Sequence, residues 1–360
     1  MKKILIYGLS NMYGGVEAFI LNYVNHLPEN KYTVELIIMN RTPQYLGEKL
    51  KREVKIHYVP ERIKNPLGYN CRVNEIVKKG NYDILWCNFC TLSDITWLKA
   101  AKKYAYSRDG HAGHEVIAMQ HSFKLVLISH LQHKKIISKY VTHFFACSDV
   151  AGAFMFGDNI VKQNNYCLIN NAIETDKYSY NENIRMKTRL DLKISDKIVI
   201  TNVGRFHFQK NHSFLVNVFS EFYKKYPTSV LLLIGDGELM EEVKNQVKKL
   251  GLTDCVMFLG NRGDVDRLML LLMPSRFEGL PVSAIEAQAS GLPCLFSDTI
   301  TTQVKITESV KFESLEAPLE KWVEDMEELL KEHRKDTRAQ IISAGYDIEE
   351  NAEHIFERFL

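Results

Sequence analysis

The sequence predicts an α/β protein built from two doubly wound, Rossmann-like domains, and three observations carry that expectation. Its 360 residues exceed what one hydrophobic core ordinarily serves, so two domains are the starting point. Short apolar runs alternate with amphipathic segments from end to end, the pattern of a parallel sheet with helices on both faces. Around Asn170 to Asp196 that rhythm gives way to a polar, weakly periodic stretch, after which it starts again.

In chain order, KILIYG is the first strand. Lys2 and Lys3 at its start resemble a signal peptide, but the apolar run breaks at Gly8, short of an h-region. GGVEAFILNYVNHL reads as a helix with apolar residues at 16, 19, 20, 23, 24 and 27, and YTVELIIMN as the second strand. YDILWCNF, EVIAMQHS and THFFACS continue the series. Beyond the polar stretch come KIVITNVGR, the helix HSFLVNVFSEFYKKY, SVLLLIGDG, the helix ELMEEVKNQVKKLGL, CVMFLG and LLLMPS. RFEGLPVSAIEAQASG then follows, a helix expected to start at Pro281, whose missing amide hydrogen suits a first helical position. The expected division is a first domain over 1–175, a linker over 176–196, a second domain over 197–345 and a terminal helix over 346–360 packing back toward the first. Ligands are expected in the cleft across which the two domains face each other, at the carboxyl ends of the strands.

Composition narrows the classes. Hydrophobic residues at 46% and charged residues at 25% exclude disordered, collagenous and disulfide-scaffold proteins. The net charge of +2 conceals an asymmetry: residues 1–180 hold 23 Lys and Arg against 15 Asp and Glu, the remainder 23 against 29. A basic half suits nucleic acid, an acidic membrane surface or phosphorylated substrates, unless its charges are simply scattered and solvated. Seven cysteines at 71, 87, 90, 147, 167, 255 and 294 fit a reducing compartment, and Cys87 and Cys90 form a CxxC with no second pair to complete a zinc site. The run LMLLLM stops at Pro274, far short of the roughly 20 residues a bilayer requires. A cytoplasmic protein resting on a membrane surface is expected.

The glycines disfavour a nicotinamide enzyme. GLSNMYGG lacks GxGxxG, and the second strand ends at Asn40 where a dinucleotide binder places an acid. Gly14 and Gly15 still admit close approach of a ligand at a helix N-terminus, where amides and dipole favour an anion; a plain tight turn accounts for them equally. In VGRFHFQKNH, Arg205 and Lys210 lie between a strand and a helix, five positions apart, and make either a phosphate clamp or a pair of surface cations. Gly235 and Gly237 in IGDGE repeat the strand, turn and helix arrangement.

Glu278 and Glu286 flank the start of the helix after Pro281. A helical path would separate them by about 12 Å, too far for a glycosidase carboxylate pair. Carboxylates so spaced suit the two ends of one long ligand, since each accepts hydrogen bonds from vicinal hydroxyls. The amides of Gly279 and Leu280 lie between them near the positive end of the dipole. Hydroxyls at both ends with phosphates between describe a nucleotide sugar.

Taken in order, GGVE at 14–17, VGR with Lys210 and Asn211, the IGDGE turn and the E-x7-E of FEGLPVSAIE closely resemble the retaining GT-B glycosyltransferases of family 4, most of all the bacterial enzymes of capsular and exopolysaccharide assembly. The resemblance spans nearly the whole chain, including ACSDVAG and GLPCLFSDTIT. It implies that Arg205 and Lys210 neutralise the leaving diphosphate, and that Glu278 holds hydroxyls of the donor sugar beside the Gly279 and Leu280 amides. Glu286 would hold the ribose, Gly235 the nucleotide, and Gly14 and Gly15 the opposite wall of the cleft. His121 in AMQHS stands where the family often has a histidine touching the transferred sugar; a structural histidine is the other reading. Arg262 lies near the expected base. The DVD at 264–266 matches a structural DV, so no metal and no cofactor is expected, only a nucleotide-sugar donor, a UDP-sugar.

The implied reaction is metal-independent transfer of a hexose or N-acetylhexosamine with retention to a saccharide acceptor carried on polyprenyl diphosphate, with no nucleic-acid partner. One departure and one shared fold leave rivals. The segment between Val265 and Pro274 is about one helical turn shorter than the family pattern, which motivates a weakly catalytic nucleotide-sugar-binding partner, and a nucleotide-sugar epimerase shares the fold. Lys124 to Tyr140 mixes apolar and basic residues where related enzymes meet lipid-linked acceptors, so peripheral membrane contact through Lys134, Lys135 and Lys139 is expected.

Overall fold

Apolar runs of four to eight residues become parallel strands because strands covered on both faces need no alternation of polar and apolar residues. SVLLLI, over Ser229–Ile234, is buried at all six positions. A computed structural model describes residues 1–11, 13–104, 107–112, 124–262, 270–332, 334–355 and 357. The chain divides into two compact units, Met1–Ala172 with Ile348–Leu360, and Ile173–Asp347.

Among the described residues the first unit holds seven strands: β1 (Lys2–Tyr7), β2 (Tyr32–Met39), β3 (Lys55–Val59), β4 (Ile84–Phe89), β5 (Ser107–Ala112), β6 (His143–Ala146) and β7 (Tyr166–Leu168). Their order is β3-β2-β1-β4-β5-β6-β7, all neighbours parallel. The helix Gly15–His26 lays Phe19, Ile20 and Tyr23 on this sheet against Trp86, with Phe19 and Trp86 rings 5.7 Å apart. The Tyr23 hydroxyl donates to the Asn170 carbonyl at 2.8 Å, so this buried tyrosine is also satisfied. The terminal helix Ile348–His354 belongs to this unit, and Ile348 and Ala352 join the same core.

In the second unit the described strands are β8 (Ile198–Val203), β9 (Ser229–Ile234), β10 (Val256–Phe258), β11 (Leu270–Met273), β12 (Cys294–Ser297) and β13 (Val310–Glu313). They run parallel in the order β10-β9-β8-β11-β12-β13. The helix His212–Lys225 packs beside Leu319–Leu329, and Phe206, Phe219, Phe222, Trp322 and Met326 fill the space beneath. Each such buried side chain contributes about 2 to 3 kcal/mol of apolar transfer energy.

Both sheets therefore reverse strand order beside their first strand, between β1 and β4 and between β8 and β11. In doubly wound sheets the loops leaving the carboxyl ends of such a pair diverge to opposite faces, opening a crevice.

Sequence expectation and structure differ at particular elements. β3, β7 and β13 escape periodicity because they are short and only partly buried. The expected strand EVIAMQHS, with His121 in it, lies wholly within residues 113–123, outside the described residues, while β5 is the polar Ser107–Ala112. The polar stretch 176–196 belongs to the second unit and carries the helix Glu182–Asp191, capped by Asn181, whose Oδ1 accepts the Ile184 amide at 3.1 Å. Pro281 is not the first helical residue: it is the N-cap, with an extended ψ of 124°, of the helix Val282–Ala289.

Candidate functional site

The loops leaving β8 and β11 meet at the second unit's switch point. After β8 the chain turns through a short 3-10 segment, Phe208–Lys210, into the helix His212–Lys225. Asn211 between them takes a left-handed conformation, φ 56°, which its short amide tolerates. Its Nδ2 donates to the Pro274 carbonyl at 3.2 Å, and its Oδ1 accepts from Arg276 Nη2 at 3.0 Å. The backbone amide of Arg276 donates to the Gln209 carbonyl at 2.8 Å, and the Arg276 guanidinium lies 4.5 Å over the Phe208 ring. The two loops are thus laced together by main chain and side chain.

This lacing brings Lys210 to Glu278. The ammonium Nζ lies 2.7 Å from Glu278 Oε1, with the carboxylate side chain 4% exposed and the lysine 16%. Oε1 is buried and, although close, takes no aligned hydrogen bond. The other oxygen, Oε2, accepts from Gln209 Nε2 at 3.1 Å, and the same Nε2 donates to the Phe277 carbonyl at 3.1 Å. Glu278 also forms an isolated parallel bridge with Ile300, which anchors its backbone.

Three glycines explain how the loops fit. A Cβ on Gly204 would lie 2.9 Å from Lys210 Cε, so its absence leaves the path for the lysine stem. Gly235, at φ 135°, sits against the Gly204 carbonyl, which a Cβ would approach to 2.1 Å. Backbone bonds from Gly204 to Ile234 and from Phe206 to Asp236 join the two turns. Gly235 is therefore glycine for close packing of backbone on backbone, a reason that requires no ligand. Gly237 packs in the same way on Phe206.

Arg205 does not join Lys210 on Glu278. It is about half exposed, and its Nη2 donates to Glu238 Oε2 at 3.1 Å; His207 Nε2 lies 3.6 Å from the same carboxylate. His212 is buried and stacked on Phe206 with ring centroids 4.1 Å apart, and neither ring nitrogen has a hydrogen-bond partner among the described residues. Burial pushes its pKa down to about 3, with the Lys210 charge adding to the shift.

Gly279 and Leu280 are buried immediately before the helix Val282–Ala289, and Glu286 is half-buried within it. Gln288, further along, is a hub that periodicity does not reveal: its Nε2 donates to the Ala284 and Val304 carbonyls, and its Oε1 accepts from the amides of Ile306 and Thr307. Arg262 is exposed just past β10, and residues 263–269 beyond it lie outside the described residues.

In the first unit, Gly14 is the N-cap and Gly15 the first residue of the helix Gly15–His26. That N-terminus already carries an anion of its own. Glu17, 6% exposed in the first turn, accepts the Ser10 amide at 3.0 Å, and a Cβ on Gly14 would lie 3.3 Å from its Oε2. The helix Lys124–Lys134 departs from the expected basic face. Lys134 Nζ turns inward to the Ala153 and Phe154 carbonyls at 2.8 and 2.7 Å, and burial lowers its pKa. Ile128, Leu131, Lys135 and Lys139 remain exposed. No helix among the described residues is long and apolar enough to cross a membrane.

Gln209, Arg276 and Gln288 were missed by sequence reasoning. Gln209 lies inside the quoted motif but carries no charge to signal a role, and the other two gain side-chain partners from residues 65 and 16 to 19 positions away.

The chain is similar to known proteins in sequence and in fold. Residues 185–348 match the family model described as glycosyl transferases group 1. The chain is 28% identical over 366 aligned residues to EpsF of Bacillus subtilis (strain 168), provisionally assigned as a glycosyltransferase, with 97% of this chain and 94% of that protein covered. It is 24% identical over 310 residues to the UDP-Gal:alpha-D-GlcNAc-diphosphoundecaprenol alpha-1,3-galactosyltransferase of Escherichia coli, covering 82% and 79%. The solved structure of Anabaena HepE in complex with UDP-glucose has the same fold, with a TM-score of 0.79 over 99% of each chain at 18% identity.

Proposed function

Because this chain is a GT-B glycosyltransferase of family 4, an enzyme of a retaining class, we propose that it transfers a hexose or N-acetylhexosamine from a UDP-sugar to a saccharide acceptor carried on polyprenyl diphosphate, in the assembly of a surface polysaccharide. The contact between Lys210 and Glu278 carries this reading. A half-buried ammonium beside a buried carboxylate suits the point in a nucleotide sugar where hydroxyls, which a carboxylate accepts, adjoin a diphosphate, which an ammonium neutralises. The relative acting on a diphosphoundecaprenol-linked sugar supports the choice of donor and acceptor class.

The bond from the anomeric carbon to the diphosphate oxygen breaks, the electron pair leaves with UDP, and the acceptor hydroxyl forms the new bond on the same face. Its proton passes to a diphosphate oxygen. Charge grows on the leaving group, so fixed positive charge there is the main catalytic term. Lys210 supplies it from beside Glu278, and Arg205 supplies it once the diphosphate displaces Glu238. Glu278 holds hydroxyls of the sugar, Gly279 and Leu280 offer amides at the start of the Val282–Ala289 helix, and Glu286 holds the ribose. Arg262 and Gly235 serve the nucleotide. Peripheral contact with the inner face of the plasma membrane, through Ile128, Leu131, Lys135 and Lys139, brings the acceptor within reach.

The test is UDP release from UDP-glucose, UDP-galactose and UDP-N-acetylglucosamine with polyprenyl-diphosphate-linked saccharides as acceptors, and anomeric configuration of the product by NMR. Transfer with retention is expected. UDP-sugar conversion without acceptor would mean an epimerase, and UDP binding without turnover on any acceptor a binding protein; either result ends the proposal.

A further inference from the structure

We propose that Gln209 is a positioning residue for sugar transfer: it fixes the carboxylate of Glu278 through a neutral donor, so that the acid keeps its orientation when Lys210 turns to the diphosphate. The inference rests on reading Glu278 as the acceptor of donor-sugar hydroxyls.

Among the described residues Lys210 and Gln209 reach the Glu278 carboxylate, and they hold it differently. Lys210 lies 2.7 Å from Oε1 without an aligned hydrogen bond, so it attracts the acid but does not set the plane of the carboxylate. Gln209 donates to Oε2 at 3.1 Å and is itself immobilised, being 7% exposed. The second hydrogen of its Nε2 goes to the Phe277 carbonyl, its backbone carbonyl accepts the Arg276 amide, and its backbone amide donates to His207 Nδ1 at 3.3 Å. Rotating the side-chain amide by half a turn would aim its oxygen at two acceptors, so the donor orientation is fixed.

The charges explain why a neutral donor stands there. A cation at position 209 would compete with the diphosphate for the carboxylate, whereas an amide adds direction without charge. With Oε2 committed to Gln209, Oε1 is the oxygen left for a sugar hydroxyl once the ammonium follows the phosphate. A bare nucleoside diphosphate has no sugar to present to Oε1, so Gln209 should matter for the sugar nucleotide and not for UDP.

Two variants test this on the full chain. Gln209→Met keeps length and volume without donors; Gln209→Glu keeps shape but reverses the donor into an acceptor facing Glu278. Binding of UDP, UDP-glucose, UDP-galactose and UDP-N-acetylglucosamine is measured by calorimetry, and donor hydrolysis to UDP reports turnover without an acceptor. Loss of a hydrogen bond to a charged group predicts turnover of Gln209→Met falling about 10- to 100-fold, with UDP affinity kept within about twofold. Gln209→Glu should be inactive near pH 8 and regain turnover toward about pH 5.5, because two carboxylates sharing one site raise the pKa of one, and the protonated acid again donates to Oε2. The other charged groups around this position are Lys210, His207 and Arg276, present in every variant, so wild type and Gln209→Met control for their titration. A merely structural glutamine would lower stability and turnover together at every pH, with no acid recovery in Gln209→Glu.

Wild-type turnover in Gln209→Met, or no acid-induced gain in Gln209→Glu, overturns the positioning role while leaving the donor site intact. Failure of the wild type itself to bind any of the three UDP-sugars overturns the donor-site reading, and the role of Gln209 with it.

Discussion

Lys210→Met should cost more stability than Glu278→Gln, although both break the same contact. The difference follows from burial, 4% exposure for the carboxylate side chain against 16% for the lysine. Removing the ammonium strands an ionised acid with one neutral donor, Gln209, and breaking a buried pair from that side costs about 3 kcal/mol, the lower end of the usual range because one hydrogen bond survives. Removing the acid leaves a lysine whose flexible stem lets its charge reach water, at about 1 kcal/mol. For a unit spanning residues 173–347 each kcal/mol lowers Tm by roughly 2 to 4 °C, so the losses are about 6 to 12 °C and about 2 to 4 °C. The double variant should lose about 2 kcal/mol, less than the two single losses together, a coupling of about 2 kcal/mol. On the proposed function all three should lose at least about 100-fold in UDP release, since each removes a group assigned there to the reacting sugar phosphate. Calorimetric melting with donor hydrolysis measures both. Equal losses of Tm in the two single variants, or a double variant as unstable as their sum, would refute the reasoning.

The glycines of the two turns should separate stability from activity. Gly204→Ala displaces only the end of the Lys210 stem, so Tm should fall by less than about 3 °C while donor hydrolysis drops severalfold; Gly235→Ala drives a methyl into the Gly204 carbonyl at positive φ and should cost several kcal/mol, seen as loss of soluble folded protein. His212 titrates near pH 3 in the folded chain against about 6.5 when unfolded, so the unfolded state binds the extra proton between these values. Its contribution is complete above pH 6.5 and is lost at up to about 1.4 kcal/mol per pH unit as pH falls toward 3; urea titrations of His212→Phe, which keeps a ring on Phe206 without the unpartnered nitrogens, should show a shallower acid loss. Flotation with anionic liposomes should weaken for Lys135→Ala/Lys139→Ala and for Ile128→Asn/Leu131→Asn, whereas Lys134 acts within the fold; binding indifferent to both pairs would remove the membrane contact.

The sequence by itself determined the architecture and singled out the loops of the candidate site. Continuous apolar strands alternating with amphipathic helices admit few arrangements other than parallel sheets, and VGR with Lys210, IGDGE and E-x7-E mark the loops that follow β8, β9 and β11. These signals are local, a periodicity or a residue type at fixed spacing, and so they survive in one dimension. Only the tertiary structure decided which charges meet. Lys210 and Glu278 stand 68 residues apart in sequence and touch because β8 and β11 are neighbours in the sheet, while Arg205, within the same motif, is drawn to Glu238 instead. The same holds for Lys134, which sequence reads as a surface charge and which packing turns onto two carbonyls, and for Gln209, whose neutral amide gains meaning only from the acid it faces. Secondary structure follows from the chemistry of successive residues, whereas the partner of a side chain is set by strand order and by the space that glycines such as Gly204 leave open.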